Sequence, residues 1–225
     1  MVIKGKLIAF EASDGSGKGT QAEKLYHRLT AEGRQVRKVE FPNYASPSSG
    51  LIKMYLDGSF GAAPGEVDPY IASTFYTVDR YATYKIEWEA FYKQGGIIIA
   101  DRYTTANMVH QGAKIGAREA KESYLQWLRD FEYRLFQLPQ PDCVIFLDMP
   151  PEYSGKLLAA RAEQTDQPGR DIHESDNDYM IQSYYSALEM AARYHWARVP
   201  CVADDSLRGI EEIHEDVYAI VKALL

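Results

Sequence analysis

The chain has 225 residues, a length that predicts one compact α/β unit better than two domains. Hydrophobic residues make up 46% and charged residues 25%, which is typical of a globular protein. The formal net charge of −7 argues against nucleic acid or an anionic membrane surface as the main partner.

Five short runs rich in β-branched or aromatic residues predict β-strands. They cover residues 7–12, 36–41, 96–101, 142–149 and 199–204. Continuous apolar runs are typical of strands covered on both faces, as in parallel sheets. Helix-length segments lie between them. The pattern therefore predicts a single domain over residues 1–225, with a five-stranded parallel sheet flanked by helices on both faces.

Helix end signals predict helices over residues 18–31, 68–94, 118–136, 151–163, 175–196 and 209–224. In the second of these, Asp68 is the expected N-cap and Pro69 the first helical residue. Its apolar residues at i, i+4, i+7 and i+11 spacing predict a core-facing stripe made of Ile71, Phe75, Val78 and Ala82. Two stretches predict loops: residues 56–68, and a polar segment in which residues of about 157–176 are expected to form a lid.

The stretch EASDGSGKGT, from Glu11 to Thr20, nearly matches the phosphate-loop pattern G-x-x-x-x-G-K-[ST]. It departs from the pattern at Ala12 and at Gly19, so that the hydroxyl comes one residue late. The loop follows an apolar strand and precedes a helix, where backbone N–H groups and a lysine can surround an anion. The stretch therefore predicts a nucleotide phosphate site.

Four further features of the sequence belong together: the loop with its aspartate, FPNY (41–44), FYTVDR (75–80) and DRYTTANMVHQG (101–112). Together they resemble the thymidylate kinase family, which phosphorylates dTMP to dTDP with ATP. The resemblance covers roughly residues 5–222. It implies a P-loop kinase fold, a nucleoside-monophosphate kinase activity, Mg²⁺ bound with ATP, and a homodimer.

The resemblance also implies roles for the donor side and for catalysis. ATP would be bound by the loop residues Asp14, Gly15, Ser16, Gly17, Lys18, Gly19 and Thr20. Since Gly19 lacks the usual magnesium-binding hydroxyl, Mg²⁺ would be held mainly by phosphates and water, with Thr20 and Asp101 close by or acting through water. The catalytic residues implied are Asp14, Lys18, Arg102 and one arginine of the lid, Arg161 or Arg170. The lid arginine is expected because Gly15 stands where some family members carry an arginine in the loop.

On the acceptor side, the family aspartate reaches the sugar 3′-hydroxyl, which implies this role for Asp14, and the arginine of DRY binds the acceptor phosphate, which implies Arg102. Arg80 would reach O4 of thymine, and Tyr76 would stack on the base where the family usually has phenylalanine. An alignment shifted by one would give that place to Phe75. The other acceptor residues implied are Phe41, Pro42, Tyr44, Asn107, His110 and Gln111. His110 replaces a residue that is often tyrosine near the sugar 2′ carbon.

Three alternatives stay open from the residues. The same fold could serve another nucleoside monophosphate or a deoxynucleoside, although deoxynucleoside kinases usually have Glu-Arg-Ser where this chain has DRY. A nucleotide-dependent switch lacks support because N-K-x-D is absent. Ala12 raises the third alternative, an inactive scaffold.

The remaining features bear on the setting of the protein. Cys143 and Cys201 lie in apolar runs, which predicts small buried hydrophobes and neither a disulfide nor a metal site. No apolar run is long enough to cross a bilayer, and the N-terminus lacks a signal-peptide layout. The sequence therefore predicts a cytoplasmic protein with no membrane partner.

Overall fold

A computed structural model describes residues 4–162 and 177–225 of the chain. Its main sheet has five strands in the order β2-β3-β1-β4-β5, and every neighbouring pair is parallel. The strands are β1 (Lys6–Glu11), β2 (Val36–Glu40), β3 (Ile97–Asp101), β4 (Cys143–Asp148) and β5 (Ala197–Pro200). The predicted five-stranded parallel α/β sheet is thus confirmed.

Nine α-helices are found in the described part of the chain. They are α1 (Lys18–Ala31), α2 (Gly50–Leu56), α3 (Pro69–Thr83), α4 (Glu89–Lys93), α5 (Thr104–Ala113), α6 (Arg118–Arg129), α7 (Pro151–Ala162), α8 (Asn177–Arg193) and α9 (Ile210–Leu224). Two π-helical segments, Tyr84–Trp88 and Asp130–Leu135, continue α3 and α6. A short hairpin of β6 (Val202–Ala203) and β7 (Ser206–Leu207) follows β5.

Helices cover the sheet on both faces, as the continuous apolar strands predict. Alternate residues of β1 point to opposite sides because a strand repeats every two residues. Ile8 and Phe10 pack with buried residues of α1 and α9, while Leu7 and Ala9 belong to a second cluster with the aromatic residues that follow α3. Both faces of the central strand are therefore core, and its carboxyl end is left to form the site.

Some predicted boundaries were wrong. The fifth strand is shifted from residues 199–204 to Ala197–Pro200, because Val202–Ala203 pairs with the hairpin and not with the sheet. The predicted helix over 68–94 is two α-helices joined by a π-helical segment, and α2 and α5 were not predicted. Residues 163–176 of the predicted lid lie outside the described residues.

The predicted core stripe of α3 was also wrong. Ile71 is 53% exposed and Val78 is 45% exposed. The buried residues of this helix are mostly polar: Ala72, Ser73, Thr77, Asp79, Arg80 and Thr83. Apolar spacing identified the wrong face because the inner face of α3 carries the polar groups of a site.

The sequence predicts that both cysteines are small buried hydrophobes. Cys201 is buried, Cys143 is half-buried, and both are free thiols. Burial raises the pKa of the Cys201 thiol to about 12, so it stays protonated at neutral pH. Within residues 4–162 and 177–225, none of the helices is long and apolar enough to span a membrane.

Candidate active site

The phosphate loop joins β1 to α1 at the carboxyl edge of the sheet. Gly15 and Gly17 have φ angles of 77° and 80°, in the left-handed region that glycine adopts at little cost. Helix α1 begins at Lys18, and Gly17 offers its N-terminus no side-chain cap. The first N–H groups of α1 are thus available to an anion, which the helix dipole also favours.

Two cavities adjoin at this loop. A cavity of about 720 Å³ is lined by the loop from Ser13 to Gln21 and by residues of α7, β7 and α9. A second cavity, of about 280 Å³, runs from the loop to α3 and α5. Asp14, Lys18 and Asp101 line both. A ligand in one cavity can therefore meet a ligand in the other beside Lys18.

Arg102 lies directly after β3 and has a φ of 63°, an uncommon value for a residue with a side chain. Its N–H donates to the Phe10 carbonyl at 3.1 Å, which fixes the turn at the strand end. Its guanidinium donates to Glu11 Oε1 at 3.0 Å and to Asp14 Oδ1 at 2.5 Å, and lies 2.9 Å from His110 Nε2. Left-handed backbone at a non-glycine residue concentrates at functional sites, and here it points the guanidinium into the smaller cavity.

Burial and the neighbouring charges shift the pKa values around Arg102. Burial alone would raise the pKa of Asp14, but Arg102, His110 and Lys18 outweigh it and hold that pKa at about 2. Burial raises the pKa of Glu11, against the opposing effect of Arg102 and Lys18. Asp14 is therefore ionised at neutral pH and can accept a hydrogen bond from a ligand hydroxyl.

Lys18 forms an ion pair with Oδ1 of Asp101. Burial, with the repulsion of Arg102, lowers the pKa of Lys18, and the carboxylate of Asp101 works against this. A carboxylate thus compensates the lysine in the unliganded site.

The far end of the smaller cavity is built by α3 and α5. Its walls include Phe41, Pro42, Tyr44, Tyr76, Arg80, Asn107, His110 and Gln111. Tyr76 and Arg80 lie one turn apart on α3, as the spacing predicts, whereas the alternative Phe75 packs against Phe60 with ring centres 5.7 Å apart.

Several contacts hold these walls in place. Phe41 is buried and packs edge-on against Tyr103, and the peptide bond from Phe41 to Pro42 is cis. Asn107 is also buried, and its amide donates to the Ser73 carbonyl at 3.4 Å. The cavity wall therefore combines aromatic and polar side chains, which suits a heterocyclic base.

A family model described as thymidylate kinase matches residues 10–217. The chain belongs to the thymidylate kinase family. This membership confirms the predicted family and enzyme class, a nucleoside-monophosphate kinase that transfers a phosphoryl group in an ATP-dependent reaction.

Similar proteins carry the same name across bacteria, archaea and animals. The thymidylate kinase of Mycobacterium tuberculosis is 29% identical over 189 residues, which cover 83% of this chain and 86% of that protein. A probable thymidylate kinase of Pyrobaculum aerophilum is 27% identical over 225 residues, covering 97% of both chains. The human thymidylate kinase is 24% identical over 216 residues, covering 95% of this chain and 88% of its own length.

In this thymidylate kinase family member, the place of the missing loop hydroxyl is next to Asp101. A β-carbon added at Gly19 would lie 3.5 Å from Asp101 Oδ2, and Thr20 lines the larger cavity beside it. No group of three or more potential metal-ligating side chains occurs among the described residues. One carboxylate nevertheless fits Mg²⁺, which is commonly held by one or two carboxylates together with substrate phosphates.

Most residues of the predicted lid lie outside the part of the chain that the structure describes. Arg161 falls within α7, but its side chain, like Arg170, lies outside the described residues.

Sequence reasoning missed three buried carboxylates that surround the predicted residues. Glu11 contacts Arg102, and Glu132 contacts Arg80. Asp79 accepts hydrogen bonds from the Asn43 N–H at 2.8 Å and the Ser48 hydroxyl at 2.6 Å, tying α3 to the loop after β2. The sequence held one signal of these carboxylates, Glu11 inside the apolar run LIAFEA. A glutamate in a buried strand indicates a charged partner nearby, because a buried carboxylate needs one.

Proposed function

We propose that this protein transfers the γ-phosphoryl group of ATP to dTMP, giving dTDP and ADP. The observation that carries the proposal is that Asp14, Arg80 and Arg102 line one cavity, which joins the phosphate-loop cavity at Lys18. Phosphoryl transfer depends mainly on positioning and on positive charge around the transferring group. Two cavities that share a lysine and adjoin an arginine meet both needs.

On the donor side, residues Asp14 to Thr20 surround the phosphates of ATP with backbone N–H groups, and Lys18 contributes its charge. Asp101 and Thr20 lie where they can hold Mg²⁺ directly or through water, and a bound magnesium ion would neutralise phosphate charge. We place the adenine contacts near residues 203–206, in the β6–β7 hairpin, because Leu207 and Arg208, which follow its turn, line the larger cavity.

On the acceptor side, Arg102 binds the phosphate of dTMP, and Asp14 accepts a hydrogen bond from the 3′-hydroxyl. Tyr76 stacks on the base, and Arg80 donates to its O4 carbonyl. Phe41, Pro42, Tyr44, Asn107, His110 and Gln111 complete the walls. The acceptor phosphate is already anionic, so none of these residues needs to act as a general base.

A lid arginine supplies the remaining charge to the transition state. A β-carbon at Gly15 would lie 2.7 Å from the Ser154 carbonyl oxygen and from Leu158, so the loop has no room for an arginine at this position. Arg161 and Arg170 are the candidates. Replacing the catalytic one by alanine is expected to lower kcat by roughly 10²-fold or more, and the other replacement should leave kcat nearly unchanged. If neither replacement lowers kcat, the lid-arginine arrangement is wrong.

A panel of acceptors tests the function. ATP and Mg²⁺ are supplied with dTMP, dUMP, dCMP, UMP or AMP, and kcat/KM is measured for each. We expect dTMP to rank first and UMP to be a poor acceptor. A higher kcat/KM for another nucleotide would contradict the assignment to dTMP while leaving the kinase family intact, and Tyr76 and His110 would then be the first residues to replace.

We also propose a homodimer that packs through α3. Ile71 and Val78 are exposed apolar residues on this helix, and Phe60, which packs against Phe75 of the same helix, is 39% exposed. Exposed apolar surface of this kind marks an interface, and a second copy of this chain is the partner predicted from the family. Light scattering should give the mass of two chains, and Val78→Glu should shift it towards one. A monomeric parent protein would refute the proposal.

The cytoplasmic setting and the single domain with a lid over residues 157–176 stay predictions.

A further inference from the structure

Glu132 is enclosed in the protein behind Arg80, which lines the smaller cavity, the proposed dTMP site. Its side chain and that of Arg80 are 0% and 1% exposed. Arg80 donates through Nε to Oε2 at 2.9 Å and through a terminal nitrogen to Oε1 at 2.5 Å. Such a two-point pair fixes the plane of the guanidinium, which a single contact cannot do.

Two threonine hydroxyls complete the contacts of this carboxylate. Thr104 donates to Oε2 at 2.5 Å, and the single hydroxyl proton of Thr77 is shared between Oε1 at 3.0 Å and the Ser73 carbonyl at 2.9 Å. Oε2 therefore accepts two hydrogen bonds, and Oε1 accepts one from Arg80 and a shared one from Thr77. The donors come from α3 and from the first residue of α5, while Glu132 lies in the π-helical segment after α6. Three separate elements thus define its position.

The ion pair with Glu132 leaves only part of the Arg80 guanidinium for a ligand. Of the five N–H groups of a guanidinium, two are bound to Glu132 and one approaches the Tyr103 carbonyl at 3.4 Å. Among the residues that the structure describes, no acceptor is found for the other two. Arg80 also lines the acceptor cavity, so these donors are available to a ligand there.

From this geometry we propose that Glu132 is a positioning residue that sets base specificity. It holds Arg80 in an orientation in which the guanidinium can donate to a carbonyl oxygen of the base but meets an amino group unfavourably. The proposal rests on the function proposed above. Thymine presents O4, a hydrogen-bond acceptor, where cytosine presents an N4 amino group, a donor. A fixed guanidinium cannot turn away from the amino group, so a donor faces a donor and a buried polar group is left without a partner. π-Helical segments recur at functional sites, and the position of Glu132 in one agrees with this role.

Glu132→Gln tests the proposal because it keeps the shape of the side chain and removes its charge. The hydroxyl of Thr77 or Thr104 can rotate to accept from the new amide, so packing is retained while the grip on Arg80 weakens. We expect KM for dTMP to rise about tenfold, with kcat and KM for ATP changing less than about twofold. The ratio of kcat/KM for dTMP to that for dCMP should fall about tenfold or more.

Glu122→Gln is the matched control. Glu122 lies on α6 and also forms a two-point pair with an arginine, Arg193, but this pair is solvent-accessible and lines neither of the two cavities. The control should leave all four kinetic values unchanged. If Glu132→Gln does not fold, Thr104→Val removes one contact of the carboxylate without removing its charge, and it should shift the dTMP-to-dCMP ratio in the same direction by a smaller factor.

The outcomes separate this proposal from the proposed function. Parent enzyme that does not prefer dTMP would contradict the proposed function itself. Parent enzyme that prefers dTMP, together with a Glu132→Gln variant whose dTMP-to-dCMP ratio is unchanged, would overturn the role of Glu132 alone. Equal increases in KM for ATP and dTMP would also overturn it, since a general structural defect acts on both substrates.

Discussion

Replacing Arg102 by alanine should produce two separable defects, one in catalysis and one in stability. The side chain contacts Glu11 at 3.0 Å and Asp14 at 2.5 Å, and Glu11 is 1% exposed. Alanine keeps the β-carbon, so the cost of the left-handed backbone at this position does not change. Any loss of stability therefore reports the charges and not the turn.

The size of the stability loss follows from the two carboxylates left behind. Removing one partner of a buried ion pair typically costs about 3–5 kcal/mol. The Arg102 side chain is 14% exposed and that of Asp14 is 31% exposed, so we expect about 3 kcal/mol at pH 8. kcat/KM for dTMP should fall by about 10²-fold or more, because the acceptor phosphate loses its cation.

The loss should depend on pH through Glu11. Burial raises the folded-state pKa of Glu11 above 4.5, so its contribution to stability is present below pH 4.5 and is lost as the pH rises through the folded value. Without Arg102 that pKa rises further, and the loss continues to higher pH. Asp14, whose folded-state pKa Arg102 helps to hold at about 2 against the effect of burial, loses the same cation, so its pKa also rises in the variant and acts in the same sense. The variant should therefore be destabilised less at pH 5 than at pH 8.

Urea unfolding at pH 5 and pH 8 measures this difference. The matched variant is Glu11→Gln with Arg102→Ala, because the amide of glutamine does not titrate. We expect the pH dependence of the stability loss to shrink in this double variant, with Asp14 responsible for the remainder. An equal loss for Arg102→Ala at both pH values would refute the coupling between Arg102 and Glu11, and so would a double variant that kept the full pH dependence.

Three further predictions concern other parts of the molecule. Lys114 donates to the Tyr55 hydroxyl at 2.7 Å, and burial lowers the pKa of Lys114 from 10.5 to about 8. Between these two pH values the native state therefore binds fewer protons than the unfolded state, and native stability rises with pH. Denaturant titration should show that the unfolding free energy of the parent rises by up to about 3 kcal/mol, relative to that of Lys114→Met, from pH 8 to pH 10.5. Gly15→Ala should lower the melting temperature more than Gly33→Ala, because both have a φ of 77° but only the β-carbon at Gly15 meets other atoms; equal shifts in calorimetry would contradict this. Asp101→Asn should raise the Mg²⁺ concentration for half-maximal activity about tenfold, and an unchanged value in a metal titration would exclude Asp101 from the metal side.

The sequence predicted the sheet and the phosphate loop because both are local patterns. The five apolar runs correspond to the five strands of the sheet, and the loop lies between a strand and a helix, as its sequence motif predicts. Tyr76 and Arg80 line one cavity because i, i+4 spacing on a helix fixes their shared face.

The partners of these residues could not be predicted, because they come from distant parts of the chain. Glu132 is 52 residues from Arg80, and Glu11 is 91 residues from Arg102. No periodicity links such pairs, and only the packed fold brings them together. The error at Ile71 has a related cause: apolar spacing assumes that the apolar face of a helix is the inner one, whereas α3 turns a polar face inwards to serve the site.

Asp101 shows how the altered phosphate loop keeps its chemistry. Its Oδ1 pairs with Lys18, while its Oδ2 faces the position where a β-carbon at residue 19 would lie, 3.5 Å away. A serine or threonine there would place its hydroxyl beside that oxygen, at the point where phosphate loops usually hold Mg²⁺. Glycine leaves that space open, so under the proposed function Asp101 pairs with the lysine through one oxygen and holds a metal through the other. A lysine, a carboxylate and a set of backbone donors lie around one point, and the proposed function assigns nucleotide binding to these three groups and not to the side chain of residue 19.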